Sequence, residues 1–164
     1  MNKILIKKNL YYTLIILSIF LLDRYFKNVV IDLSRVNNDV DIFINEFLNI
    51  YLIWNKGIAF GIFSFDEAKS YNFVTVLICI VNVVVFYLIY SSRDYRGFLY
   101  TVILGGSLGN LFDRFYYRAV PDYIDMHIKS FHWFIFNISD IFITFGVICL
   151  IFVEIFFNKS VNEK

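Results

Sequence analysis

Three short stretches bring together residue types that could do chemistry: GGSLGNLFDR (Gly105 to Arg114), VPDYID (Val120 to Asp125) and FNISD (Phe136 to Asp140). They carry the carboxylates Asp113, Asp122, Asp125 and Asp140, the amides Asn110 and Asn137, and Arg114, all beside long apolar runs. Such groups are costly near lipid unless they are paired or functional. Asn137 and Asp140 have the i, i+3 spacing of a helix N-cap and an acidic first-turn residue, and on that pair alone capping accounts for the residues as well as catalysis does. Asp122 and Asp125 tilt the balance. Pro121 holds Val120 extended, which sets Asp122 on a strand or loop able to face the start of a following helix. Two carboxylates brought together share a proton, so one can act as base on water while the other acts as acid.

Gly106, Asn110 and Arg114 recur at i, i+4, i+8 on one helix face, while Gly105 and Gly109 form a small-xxx-small pair that admits a neighbouring helix. The glycines are read as packing. Arg114 alone could be a snorkelling anchor, but Asn110 and Arg114 together favour function.

The elements that must position these groups follow from composition. With 164 residues, 59% of them hydrophobic, one proline and a mean hydropathy of +0.65, the chain reads as one membrane-embedded domain without room for a second. A net charge of +1 excludes the basic field of a nucleic-acid binder. Apolar runs predict an α-helical integral membrane protein with four transmembrane helices over roughly residues 9–31, 72–90, 98–115 and 137–157. The first run could imitate a signal peptide, but no small-residue cleavage site follows it. DLSRVNNDVD (Asp32 to Asp41) reads as polar and turn-rich, and residues 40–66 as a small extracytoplasmic β-sheet between helices 1 and 2. A short extracytoplasmic segment joins helices 3 and 4. Lys3, Lys7, Lys8, Arg93, Arg96, Lys159 and Lys164 lie on short segments of one side, which predicts cytoplasmic termini. Asp23, Asn110, Asp113, Arg114, Asn137 and Asp140 then converge at the outer ends of their helices. A transporter more often places its ionisable groups at the midplane.

With the stretch NKGIAF (Asn55 to Phe60) and Asp23, these boxes resemble the lipoprotein signal peptidase (signal peptidase II) family of bacterial membrane aspartic endopeptidases, in order and across essentially the whole chain. The resemblance implies a catalytic dyad of Asp122 and Asp140. Asn110, Arg114 and Asn137 would hold the dyad and the substrate backbone, Asp23 and Asn55 would support the site, and the Asn55 region would belong to a β-cradle. It also implies a substrate, a prolipoprotein cleaved just before a diacylglyceryl-modified cysteine, and a place in the bacterial cytoplasmic (inner) membrane with the site on the extracytoplasmic face. No metal or organic cofactor is required, the lipid chains of the substrate would lie in the bilayer, and a monomer suffices. Arg24, Ile58, Pro121 and Ser139 depart from the family pattern.

Other chemistry fits poorly. His127 and His132 read as interfacial residues without a metal-ligand pattern. Ser107 and Ser139 lack a His or Lys partner, the G-x-G-D pattern of other membrane aspartyl proteases is absent, and Cys79 and Cys149 read as packing residues. Asp113 is expected to be ion-paired or interfacial, and Asp125 to be solvated. The alternative of a different class is a small non-enzymatic membrane transporter or assembly factor whose outer polar cluster binds a partner.

Overall fold

From Lys3 to Asn37 nothing breaks a helix, and the computed structural model, which describes residues 3–37, 39–57, 67–129 and 131–157, shows one helix there, α1 (Lys3–Asn37). At 1.5 Å per residue its 35 residues extend about 52 Å, well beyond a hydrocarbon core of about 30 Å. The expectation of a turn from Asp32 onward is therefore corrected. No Gly or Pro interrupts Asp32–Asn37, and Arg35 pairs with Asp32 at 2.9 Å one turn back while the Ser34 hydroxyl donates to the Ile31 carbonyl at 2.7 Å.

Next come β1 (Asp41–Asn45), β2 (Leu48–Asn55), α2 (Glu67–Ser91), α3 (Arg96–Tyr116), β3 (Val120–Ile128), β4 (Phe131–Phe136) and α4 (Ile138–Phe157). The strands form one antiparallel sheet in the order β1-β2-β3-β4. This corrects the expectation that the sheet lies only between the first two helices, since the connection between α3 and α4 supplies half of it. Pro121 is tolerated because it sits near the start of β3, opposite Trp54 of β2, while pairing with β4 begins only at Ile124. Val30 of α1 packs with Val40 and Tyr123 in a core that seats the sheet on the extended end of α1. The remainder of the NKGIAF box, Ile58 to Phe60, lies outside the described residues, as does the rest of the region expected to be β up to residue 66.

α3 is the central helix, packed against α1, α2 and α4. Its glycines allow this. A Cβ on Gly105 would stand 3.0 Å from the Ile19 Cβ of α1, and one on Gly106 would stand 2.6 Å from the Ser139 carbonyl of α4. Gly109 is the tightest, because its Cβ would meet both the Asp23 carboxylate, at 2.6 Å, and the Ser139 hydroxyl. Gly109→Ala must turn the Ser139 hydroxyl aside and displace the Asp23 carboxylate, which ties α1 to α4 through the Ser139 N–H. Overpacking of this kind costs about 1–3 kcal/mol, so the unfolding midpoint in detergent is expected to fall by several degrees, and further than for Gly105→Ala. An unchanged midpoint would contradict the close approach.

Lys8 donates to the Ser92 carbonyl at 2.5 Å, and Arg96 pairs with Glu154 at 3.0 Å. The first turns of α1, the α2–α3 hairpin and the last turns of α4 thus gather at one end, and the sheet and the start of α4 lie at the other. Residues Lys69–Ser91 and Ile138–Phe156 are long and apolar enough to cross a membrane, with mean hydropathies of 2.6 and 2.3. Their outward side chains, among them Phe73, Val83, Phe86, Phe145, Ile148 and Phe152, are more than half exposed apart from the cover a bilayer would give.

Candidate active site

The fourth helix begins at an asparagine that does two jobs. Asn137 caps α4: its Oδ1 accepts the Asp140 N–H at 3.2 Å, and its own N–H donates to Asp140 Oδ2 at 3.1 Å, the reciprocal pattern of a capping box. Its side-chain Nδ2 meanwhile donates to Asp122 Oδ1 on β3 at 2.6 Å. Capping and site building, alternatives in the sequence, coexist in one residue. Asn55 at the end of β2 donates to Asp122 Oδ2 at 2.9 Å and accepts the Gly57 N–H at 3.0 Å. Asn110 of α3 donates to Asp140 Oδ1 at 2.7 Å. All four carboxylate oxygens of Asp122 and Asp140 are therefore held, by three asparagines from β2, α3 and the start of α4.

Neutral amides fix these carboxylates without supplying positive charge. Asp122 is buried, and that burial, reinforced by the negative charge of Asp140, pushes its carboxyl up to about 6 against the smaller opposing effects of the Asn55 and Asn137 donors. The arrangement suits a pair that keeps one proton between two acids near neutral pH.

Beneath the pair lies a buried charge cluster that the sequence reading did not assemble. Lys27 Nζ contacts Asp23 at 2.9 Å and Asp113 at 2.7 Å, and Arg24 contacts Asp23 at 2.9 Å and Asp113 at 2.8 Å. Two cations balance two carboxylates. Lys27 also donates to Asn110 Oδ1 at 2.8 Å, which leaves the Asn110 Nδ2 facing Asp140. Asp23 accepts the Ser139 N–H at 3.1 Å, tying α1 to the first turn of α4. The i, i+4 spacing of Asp23 and Lys27 was a readable sign of this pairing; the long reach to Asp113 had none.

Among the described residues, the partners of Arg114 do not include either carboxylate. Its Nη2 donates to the Gly57 carbonyl at 3.0 Å, its guanidinium lies 5.4 Å from the Tyr71 ring centroid, and Tyr71 Oη donates to the Arg114 carbonyl at 2.6 Å. It anchors the segment after β2. Asp125 is not solvated as expected: it is 2% exposed and lies 2.9 Å from His132 Nδ1 across the β3–β4 hairpin. His127 joins them, so the two histidines are not merely interfacial.

One buried and one half-buried carboxylate bridged by one asparagine, in a helical scaffold with lipid-compatible faces, form an arrangement that suits a membrane aspartic peptidase. Similarity to known proteins narrows this. The pattern of the family described as Signal peptidase (SPase) II matches residues 15–157. The chain is 48% identical over 165 residues to the lipoprotein signal peptidase of Pelagibacter ubique (strain HTCC1062), covering 100% of this chain and 99% of that one. It is 33% identical over 156 residues to that of Anaplasma phagocytophilum (strain HZ), with 95% and 99% covered. A solved bacterial membrane enzyme superposes with a TM-score of 0.73 at 25% identity, over 94% of this chain and 92% of the other. The chain belongs to the signal peptidase II family, the membrane peptidases that cleave lipoprotein signal peptides. The alternative of a non-enzymatic partner-binding protein falls away.

Proposed function

We propose that Asp122 and Asp140 are the catalytic dyad of a single membrane-embedded domain that cleaves a prolipoprotein just before its diacylglyceryl-modified cysteine. The observation that carries this reading is Asn137, which donates from its side chain to Asp122 and from its backbone to Asp140. The ionised carboxylate takes a proton from water as the water oxygen attacks the scissile carbonyl. The protonated one supplies the proton for the departing amine when the C–N bond breaks. Asn110, Asn137 and Asn55 hold the pair, and Asp23 supports it through α1. Arg114 positions Gly57, and its Nε and Nη1 are buried without a hydrogen-bond partner among the described residues, which suits them to a substrate carbonyl. The chemistry assigns no step to a metal or cofactor, and one chain carries every residue named.

All four helices span the bilayer in this reading, with the end that gathers Lys8, Arg96 and the last turns of α4 in the cytoplasm and the sheet outside. The substrate's acyl chains lie in lipid beside the helices while its peptide enters the site at the surface. In a chain whose own cysteines are replaced by serine, Glu46→Cys is expected to react with a membrane-impermeant maleimide in cells with a permeable outer layer. Asp94→Cys should react only after lysis. The opposite pattern would invert the orientation.

The functional test is incubation of the purified protein with a diacylglyceryl-modified prolipoprotein, scoring release of the signal peptide. Release from the lipidated precursor alone is expected; none from a folded preparation would overturn the reading. The rate should also depend on pH in a defined sense. Above about 6 Asp122 ionises beside Asp140 and the shared proton is lost, so kcat/KM, which reports the free enzyme, should fall as pH rises through that value. Asn55→Ala removes a donor that stabilises the ionised form. It should move that limb to higher pH; a limb that moves down contradicts the assignment.

A further inference from the structure

We propose that Asp125, His127 and His132 form a binding site for a divalent transition metal of the zinc class, separate from the Asp122/Asp140 pair. One ligand atom from each of the three lies within 4.8 Å of the others. His132 Nδ1 stands 2.9 and 3.0 Å from the two Asp125 oxygens, and His127 Nδ1 stands 3.7 Å from Oδ2. The rings are cross-strand partners of the β3–β4 hairpin, with centroids 5.2 Å apart.

A plain Asp–His hydrogen bond accounts for Asp125 and His132 but not for His127. That residue is 9% exposed, and its Nδ1 faces Asp125 while buried with no hydrogen-bond partner among the described residues. Buried polar atoms of native proteins are nearly always satisfied. The same holds for Asn49 of β2, which pairs with Asp125 across the strands and so shares its face of the sheet, and whose Oδ1 is also buried without a partner. A ring nitrogen and an amide oxygen, both buried without a partner among the described residues, thus lie on the face of the sheet that carries this carboxylate, and a cation would satisfy them together with it.

The donor set selects the class. Two imidazoles and a carboxylate suit zinc and its neighbours, whereas calcium and magnesium take oxygen ligands. Bonds of about 2.0–2.2 Å in tetrahedral geometry set ligand atoms roughly 3.3 Å apart. His132, whose side chain is 55% exposed, is free to swing inward to close the set, and the Asn49 amide oxygen or a water completes it. Bound there, the ion would clamp β3 to β4, the hairpin that carries Asp122 near its start and leads into Asn137 at its end. The site is structural and does not depend on how the carboxylate pair is assigned.

The test uses the purified full chain in detergent, stripped with a chelator and titrated with zinc chloride, with bound metal measured by elemental analysis after equilibrium dialysis. One zinc per chain is expected, with a rise in Tm on the order of 5 °C at a hundredfold excess over Kd and none with magnesium. His132→Ala and His127→Gln should each weaken zinc binding at least about tenfold, since even an outer-shell partner is worth that much. Asp122→Asn should bind zinc as the parent does. Signal-peptide cleavage by His132→Ala in metal-free buffer shows that this variant is folded. The absence of stoichiometric zinc, or binding unchanged in a folded His132→Ala chain, or binding lost in Asp122→Asn, would overturn the proposal.

Discussion

Asp122→Asn and Asp140→Asn should each insert and fold yet cleave on the order of 10³-fold more slowly, the range that a positioned acid or base contributes. An amide has nearly the shape of the carboxylate it replaces and keeps one acceptor oxygen, so most of the packing around Asn55, Asn110 and Asn137 survives. What is lost is the group that takes or returns a proton, and no neighbouring side chain can substitute. On the proposed assignment each residue is half of one acid–base unit, so the double variant should be little slower than either single one. Asp125→Asn should retain far more activity, since the partners of Asp125 are the hairpin histidines. The measurement is the single-turnover rate on the lipidated precursor. Should Asp125→Asn be as inactive as Asp140→Asn while Asp122→Asn still cleaves, the first carboxylate has been misassigned.

The residues gathered around this pair were legible because they sit in short boxes at element boundaries. Asn137 and Asp140 announce a helix start, Asn110 and Arg114 mark the polar end of an apolar helix, and Pro121 forces an extended approach to Asp122. What stayed hidden depended on long-range pairing. The segment from Val120 to Ile128 does not alternate apolar with polar, because Asp122 and Asp125 are buried among Val120, Pro121 and Tyr123. Its membership of the sheet was therefore invisible to a period-two reading. The helical run of Asp32–Asn37 reads as turn in sequence because four of its six residues are polar, although none of them breaks a helix. Asp113 lies more than eighty residues from Arg24 and Lys27, and only the packing of α1 on α3 reveals the three as one cluster. Arg114 was expected to reach the carboxylate pair; its real partner, the Gly57 carbonyl, carries no side-chain signal at all.

That cluster sets the largest expected loss of stability, which belongs to Lys27. Its side chain is fully buried, and its ammonium group has three donors facing three acceptors: Asp23 at 2.9 Å, Asp113 at 2.7 Å and Asn110 Oδ1 at 2.8 Å. Lys27→Met keeps the apolar stem but leaves two buried carboxylates sharing Arg24 alone. Breaking a buried pair by removing one partner costs about 3–5 kcal/mol, which should lower the unfolding midpoint by roughly 10 °C. A second effect reaches the site. Without the ammonium group Asn110 Oδ1 loses its buried donor, so the side chain that presents Nδ2 to Asp140 is held less firmly. The turnover rate should therefore fall even at temperatures where Lys27→Met is folded. Lys27→Arg should not restore either property, because a planar guanidinium cannot point donors at three converging acceptors as an ammonium can. Adding Asp113→Asn to Lys27→Met should recover part of the stability, since Arg24 and Asp23 are then a balanced pair, but it should leave the rate low because Asn110 remains unanchored. A Lys27→Met chain with the parent's midpoint, or a double variant that regains full turnover, would show that the charge cluster does not position the carboxylate pair.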